Sequence, residues 1–139
     1  GGAAPGYLGD FVYGATDGDE PGIRVEALSA NPAVLTCLAN DISYDEIYSK
    51  QLVSKGTAGD VLIVLSGSGN SQNVVRALES ANQLEMRTFA ILGYSGGRCK
   101  EISNVAIHFP IKDMQISEDL QLICGHMCMQ WLKENGRGS

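Results

Sequence analysis

The sequence predicts an α/β fold, a three-layer sandwich in which helices flank both faces of a parallel sheet. Residues 61–65 form a continuous apolar run without polar alternation, which is typical of a strand buried on both faces. A Ser/Gly turn joins this run directly to a segment with helical apolar spacing. Strand-like and helix-like segments then alternate along the chain, the order found in parallel sheets with right-handed crossovers.

The size of the chain fits one domain. With 139 residues, of which 44% are hydrophobic, the chain can bury a proper core, and we expect residues 1–139 to form a single domain. Residues 1–21 are Gly-rich and poorly assigned, with a weak helical pattern at 7–13. Residues 23–29 are predicted to be a strand, and a short helix is expected after Pro32, a residue suited to a first helical turn.

The segment that follows carries a helix start signal. Ser43 and Glu46 have the spacing of a capping box, in which the two side chains bond each other's backbone amides. This spacing predicts an amphipathic helix that begins at Ser43, runs through Leu52 and ends before Gly56.

The rest of the chain alternates between strand and helix. The expected elements are a strand at 61–65, a helix at 71–84, a strand at 88–92, a short helix at 98–102, a strand at 104–109 and a long helix at 116–134, apolar nearly all round.

Composition excludes several classes of function. A net charge of −6 and a pI near 4.7 argue against binding to nucleic acid or to a membrane surface. No apolar run reaches transmembrane length, and we expect no signal peptide. The cysteines lack the spacing of a disulfide framework, which favours reduced thiols and a cytoplasmic protein: Cys37, Cys99, Cys124 and Cys128.

The Ser/Gly turn has the chemistry of an anion site. It places hydroxyls and small residues where unpaired N–H groups and the positive end of the dipole of the next helix meet, which favours a bound phosphate. The turn consists of Ser66, Gly67, Ser68, Gly69, Asn70 and Ser71.

Three well-known Gly-rich loops do not fit this turn. A Walker A loop requires a lysine, which is absent. A dinucleotide fingerprint requires a third glycine where Gln72 stands. A nucleophile elbow centred on Ser68 requires glycine at the positions of Ser66 and Asn70. The alternative to a phosphate loop is an ordinary strand-to-helix turn in which Ser71 caps the helix.

Four segments resemble the SIS (sugar isomerase) domain, and within it the sedoheptulose-7-phosphate (phosphoheptose) isomerase branch. They are Asn40-Asp41 with SYDEIYSKQL, then GDVLIVLSGSGNSQNV, then MRTFAILGYSGGRCKEI, and finally EDLQLICGHMCMQWL. The resemblance covers roughly residues 22–135. It implies a flavodoxin-like SIS fold, here without the family's N-terminal helices and first strand. It also implies a cytoplasmic homotetramer that binds a phosphorylated sugar, contains zinc and supplies heptose for lipopolysaccharide or capsule.

The resemblance assigns roles to the loop and to residues before it. Ser66, Ser68 and Ser71 fall on the family's phosphate-binding serines, while Gly67 replaces a threonine. Gly69 and Asn70 complete the substrate-binding loop. The pair Asn40 and Asp41 matches an Asn-Asp near the sugar site.

The resemblance also suggests catalytic residues. His126 falls on the catalytic, metal-liganding histidine, and Glu118 on a position that usually holds a glutamine ligand. When the resemblance is anchored on Asp-Phe-x-Tyr-Gly, Asp10 falls on an acidic catalytic residue and Gly6 stands where the family has a histidine. A different gap placement puts Gly9 and Tyr13 at these positions. His126 and Glu118 are therefore the expected zinc ligands, and His126, Glu118 and Asp10 the expected catalytic set.

Helical geometry separates two of these residues. Glu118 and His126 lie about 12 Å apart along a helix axis, so one metal ion is not easily held by both. Either the helix bends near Gly125, or the two residues serve sites shared between subunits, which is the interpretation we prefer. His126 as a core histidine is the structural alternative, and His108 is expected to be structural.

Two functions from different classes follow. The first is an aldose–ketose isomerase that uses histidine and a carboxylate as acid and base. The second is a non-catalytic SIS module that binds a phosphosugar for regulation or interaction. The retained serine loop, His126 and Glu118 favour the first, and the missing histidine at Gly6 favours the second.

Overall fold

The computed structural model describes Phe11 and residues 21–136. Within this part of the chain, three parallel strands form one sheet in the order β1-β2-β3. They are β1 (Val61–Ser66), β2 (Arg87–Leu92) and β3 (Val105–His108). The strands predicted at 61–65, 88–92 and 104–109 are thus confirmed, as is their parallel arrangement.

Helices connect and flank the strands. The bounds are α1 (Pro32–Asp41), a 3-10 helix (Tyr44–Glu46), α2 (Ser49–Lys55), α3 (Gln72–Gln83), α4 (Gly97–Ile102) and α5 (Met114–Asn135).

Apolar clusters on the two faces of the sheet create the three layers. Leu62 and Val64 point to one face, where α3 contributes the fully buried Leu78 and α4 contributes Cys99. Ile91 points to the other face, where Phe11 and side chains of α5 pack against it. Alternate residues of each strand therefore meet helices on opposite sides, and the predicted three-layer α/β class is confirmed.

The strand predicted at 23–29 is wrong. Residues 21–27 have no regular secondary structure. The expected alternation is present, since Ile23 and Val25 are half-buried and Arg24 and Glu26 are exposed. The segment is anchored by side-chain packing of Ile23 and Val25 against the second apolar cluster, without a strand ladder.

The capping box is also wrong. The Ser43 side chain makes no capping hydrogen bond, and a 3-10 turn separates Ser43 from α2, which begins at Ser49. The Glu46 carboxylate bonds the Ser49 hydroxyl instead, and it accepts a hydrogen bond from Arg76 of α3 at 2.7 Å. Because these partners occupy both carboxylate oxygens, Glu46 does not complete the box.

Helix α5 buries small and polar residues. Asp113 caps its first turn by accepting a hydrogen bond from the Ile116 amide at 3.1 Å. The residues that face the sheet recur every four positions: Ser117, Gln121 and Gly125. Large apolar side chains on other faces of the helix are exposed: Ile116, Ile123, Met127 and Trp131. In a single chain, α5 therefore leaves much of its apolar surface uncovered.

All four cysteines are free thiols. Cys99 is fully buried, and burial raises the pKa of its thiol to about 11. In the part of the chain that the structure describes, no helix combines the length and apolar character needed to cross a membrane.

The core between α3 and the sheet should dominate stability. Leu78→Ala removes a fully buried side chain and should lower the free energy of unfolding by about 3 kcal/mol. Val53→Ala is the control, because Val53 is 63% exposed and its truncation should change that free energy by no more than about 0.5 kcal/mol. Urea denaturation measures both, and equal effects would contradict this placement of the core.

Candidate functional site

A cleft of about 260 Å³ opens at the carboxyl end of β1. The serine loop forms one wall, the 3-10 segment a second and the first turns of α5 a third. The lining residues are Tyr44, Tyr48, Leu65, Ser66, Gly67, Ser68, Ser71, Asn73, Val74, Met114, Glu118 and Gln121. Ligands of open parallel sheets bind at this edge.

Two serine side chains of the loop stabilise its conformation through internal hydrogen bonds. The buried Ser66 hydroxyl accepts a hydrogen bond from the Gly69 amide at 3.0 Å, and the Ser68 hydroxyl accepts one from the Asn70 amide at 3.2 Å. Those two amides are therefore used internally. Each hydroxyl still has its own proton to donate, so both serines can hydrogen-bond an anion in the cleft.

Ser71 occupies the N-cap position of α3 without capping it. Its side chain makes no hydrogen bond to the helix, although its backbone carbonyl accepts from the amides of Val74 and Val75. The first amides of any α-helix lack intrahelical partners, and here they open beside the cleft that Ser71 and Asn73 line. An ordinary capped turn would use the Ser71 hydroxyl, so this geometry favours the anion site.

Gly67 leaves room for a side chain from α5. A Cβ added at Gly67 would lie 2.4 Å from the Met114 sulfur. The Met114 thioether therefore fills the space where the resemblance places a threonine. The cleft gains an apolar wall at this point instead of a third hydroxyl between Ser66 and Ser68.

Gly69 and Asn70 are not among the residues that line the cleft. The Asn70 side-chain oxygen accepts a hydrogen bond from the Arg98 amide at 2.9 Å, and the Gly69 carbonyl accepts one from Cys99 at 2.9 Å. These two residues contact α4.

Helix α5 carries two of the three expected catalytic residues and brings one of them to the cleft. Glu118 lines the cleft, and the buried Gln121 beside it donates a hydrogen bond to the Ile91 carbonyl at 3.3 Å. His126 is exposed, lies two turns further along the continuous helix and does not line the cleft. Among the residues described, no three His, Cys, Asp or Glu side chains come together to hold a metal ion.

The other expected site residues lie elsewhere. Asn40 and Asp41 end α1, where the Asn40 side chain donates to the Asp41 carboxylate at 3.0 Å, and neither lines the cleft. Asp10 and Gly6 lie outside the described residues. His108 bonds the Tyr94 carbonyl at 2.8 Å and the Lys100 ammonium at 3.2 Å, which agrees with its expected structural role.

Sequence reasoning missed two tyrosines. Tyr44 and Tyr48 line the cleft, although they lie in a segment for which only an amphipathic helix was predicted. Burial, with a smaller contribution from Tyr44, raises the pKa of Tyr48, so its phenol remains a hydrogen-bond donor at neutral pH. The phenol groups themselves were the available signal, because a half-buried tyrosine presents a polar tip.

An open parallel sheet with a serine-lined loop leading into a helix is the architecture of an α/β domain with a candidate anion site at the carboxyl edge of the sheet. Residues 13–93 match the SIS domain, and the chain belongs to that family, as the resemblance indicated.

The similar curated proteins share the name phosphoheptose isomerase. The phosphoheptose isomerase of Helicobacter pylori is 35% identical over 109 residues, covering 78% of this chain and 57% of that protein. That of Akkermansia muciniphila is 33% identical over 121 residues, covering 87% and 64%. The chain therefore spans less than two thirds of the length of these curated relatives.

Solved structures support the fold. A phosphoheptose isomerase from Francisella tularensis matches with a TM-score of 0.88 at 23% identity, covering 97% of this chain and 73% of that one. A phosphoheptose isomerase from Neisseria gonorrhoeae matches with a TM-score of 0.83 at 27% identity, covering 93% and 68%.

The contact between Gly67 and Met114 should appear as energetic coupling. Gly67→Thr alone crowds the Met114 side chain and should lower the free energy of unfolding by about 1 kcal/mol. Combining it with Met114→Ala makes room for the threonine, so the double variant should be more stable than the two single changes predict. Urea denaturation of the four proteins measures the coupling, and simple additivity would contradict the contact.

Proposed function

We propose that this chain is the SIS domain of an aldose–ketose isomerase of the phosphoheptose isomerase type. Its substrate is sedoheptulose 7-phosphate and its product is glycero-manno-heptose 7-phosphate. One observation carries this proposal: the serine loop and the Glu118 carboxylate line the same cleft. The name shared by the similar proteins supports the choice of substrate.

The cleft supplies what the isomerisation requires. The phosphate is held by the hydroxyls of Ser66, Ser68 and Ser71 and by the first amides of α3. The reaction moves a proton between adjacent carbons through an enediol, which requires a base beside those carbons. Glu118 is positioned for this role on the wall that α5 provides, and the Tyr48 phenol can donate to a sugar oxygen.

His126 joins the site from another subunit in this proposal. It is exposed on α5, about 12 Å along the helix axis from Glu118. The exposed apolar side chains of the same helix, including Met127 and Trp131, form a surface that a second copy could cover. We propose a homotetramer in which α5 of one subunit supplies His126 to the cleft of its neighbour.

Zinc does not fit the described residues of a single chain, because no three suitable side chains meet there. No step of the reaction above is assigned to it. Zinc in the assembled protein remains a proposal that requires Glu118 and His126 from different subunits, and metal analysis of the purified oligomer tests it directly.

We place the enzyme in the cytoplasm, where it would supply heptose for lipopolysaccharide or capsule. Four free thiols support a reducing compartment. The pathway is inferred from the proposed substrate.

Turnover should depend on the Glu118 carboxylate. Glu118→Gln should reduce the rate of sedoheptulose 7-phosphate isomerisation by at least about 100-fold, because the amide cannot accept the substrate proton. Phosphosugar binding should remain. Asp119→Asn is the matched control, since Asp119 is the next exposed carboxylate on α5 but does not line the cleft. NMR of the sugar anomers measures conversion, and full turnover by Glu118→Gln would refute the assignment.

Mixing two inactive variants tests the shared site. In a mixed oligomer of Glu118→Gln and His126→Ala chains, some clefts receive both native residues from different subunits. Activity should therefore return after the two proteins are unfolded and refolded together. If both residues acted within one chain, every cleft would lack one of them and the mixture would stay inactive.

The same measurements separate the enzyme from the non-catalytic SIS module. Binding of sedoheptulose 7-phosphate by the unmutated protein without conversion would favour the regulatory module. Conversion would exclude it.

A further inference from the structure

The serine loop is joined to the segment after β2 by three hydrogen bonds. The Gly67 carbonyl accepts from the Gly93 amide at 3.0 Å, and the Gly69 carbonyl accepts from the Cys99 amide at 2.9 Å. The third is a side-chain bond, from the Arg98 amide to the Asn70 Oδ1 atom at 2.9 Å. The loop is thus held along its length by the beginning of α4 and the turn that precedes it.

Glycines allow this close contact. A Cβ on Gly69, whose φ is +72°, would lie 2.0 Å from the Gly96 carbonyl oxygen. A Cβ on Gly97 would lie 2.5 Å from Asn70 Oδ1. The two turns therefore touch through their backbones, and the Asn70 amide group fits directly over Gly97.

Helix α4 takes its cap from another element. Its own N-cap residue is Gly96, which has no side chain to bond the first amides. Asn70 Oδ1 bonds the Arg98 amide in place of such a side chain. Asparagine is among the best capping residues, because its short side chain presents an oxygen to a helix N-terminus.

We propose that Asn70 is a positioning residue of the phosphate site and not a phosphate ligand. Its side chain fixes the loop to α4, while its backbone amide bonds the Ser68 hydroxyl oxygen at 3.2 Å. Asn70 thereby orients Ser68 toward the cleft. It also orients Ser71, the next residue in the chain, toward the cleft. This inference rests on the proposed function for the identity of the anion.

Two substitutions at Asn70 distinguish the roles. Asn70→Ala removes the cap and should weaken binding of inorganic phosphate about fivefold, the size expected for one lost capping bond. Asn70→Asp retains the acceptor oxygen and should restore most of the affinity. A phosphate ligand would behave in the opposite way, because aspartate has no N–H to donate and would repel the anion.

The matched control lies at the other end of the same helices. Asn82 of α3 donates to the Ile102 carbonyl at 2.8 Å and accepts from Thr88 at 3.2 Å. Asn82→Ala should therefore lower stability without changing phosphate affinity. Gly97→Ala should reproduce the binding defect from outside the loop, since its methyl group displaces the Asn70 amide group.

Titration calorimetry measures the affinity for inorganic phosphate, and hydrogen exchange of the Arg98 amide reports on its bond to Asn70. Weaker binding and faster exchange in Asn70→Ala, both reversed in Asn70→Asp, support the proposal. Unchanged exchange in Asn70→Ala, or weaker binding in Asn70→Asp than in Asn70→Ala, overturns it. Phosphate binding without conversion of sedoheptulose 7-phosphate would count against the proposed function alone. Failure of the proposed function is therefore distinguishable from failure of the positioning role of Asn70.

Discussion

The site depends on the backbone contact between two turns at the carboxyl edge of the sheet. Parallel pairing places Ser66 opposite Leu92, so the chain leaves β1 and β2 at the same level. The turns that follow then meet where Gly69 and Gly96 touch. No side chain fits between them. The sheet register and these glycines together determine where the loop hydroxyls lie, before any ligand is present.

Local signals predicted the central part of the fold well. The strand at 61–65, the loop and the helix at 71–84 appear within about one residue of their expected bounds, since an apolar run, small turn residues and a helical period all lie within that segment. The segment at 23–29 and the capping box failed for a different reason. Their conformations depend on distant partners, the apolar cluster around Ile91 in one case and Arg76 in the other. Sequence spacing alone does not reveal such partners.

The site residues also divide into those that the local sequence predicts and those that only the folded chain brings together. The serines could be predicted because one turn contains them, and the resemblance added Glu118. Tyr48 and Met114 join the cleft only through the packing of helices that are far apart in sequence. The pattern of α5 was misleading in another way, because its sheet-facing positions are small or polar while Ile123 and Trp131 are exposed. A hydrophobic pattern shows that a helix has apolar faces, but not which face meets its own chain.

The charges in the cleft constrain how a substrate can lie in it. Among the described residues that line it, Glu118 is the only charged side chain, so the loop offers an anion only neutral hydroxyls and amides. A chain with a net charge of −6 gives a phosphate no overall attraction, so recognition depends on short-range hydrogen bonds. A phosphate close to Glu118 would also be repelled. The two groups must therefore occupy opposite ends of the cleft, which requires a ligand that extends from the loop to α5. In the proposed reaction, this orientation directs the phosphate to the serines and the carbonyl end of the sugar to the carboxylate.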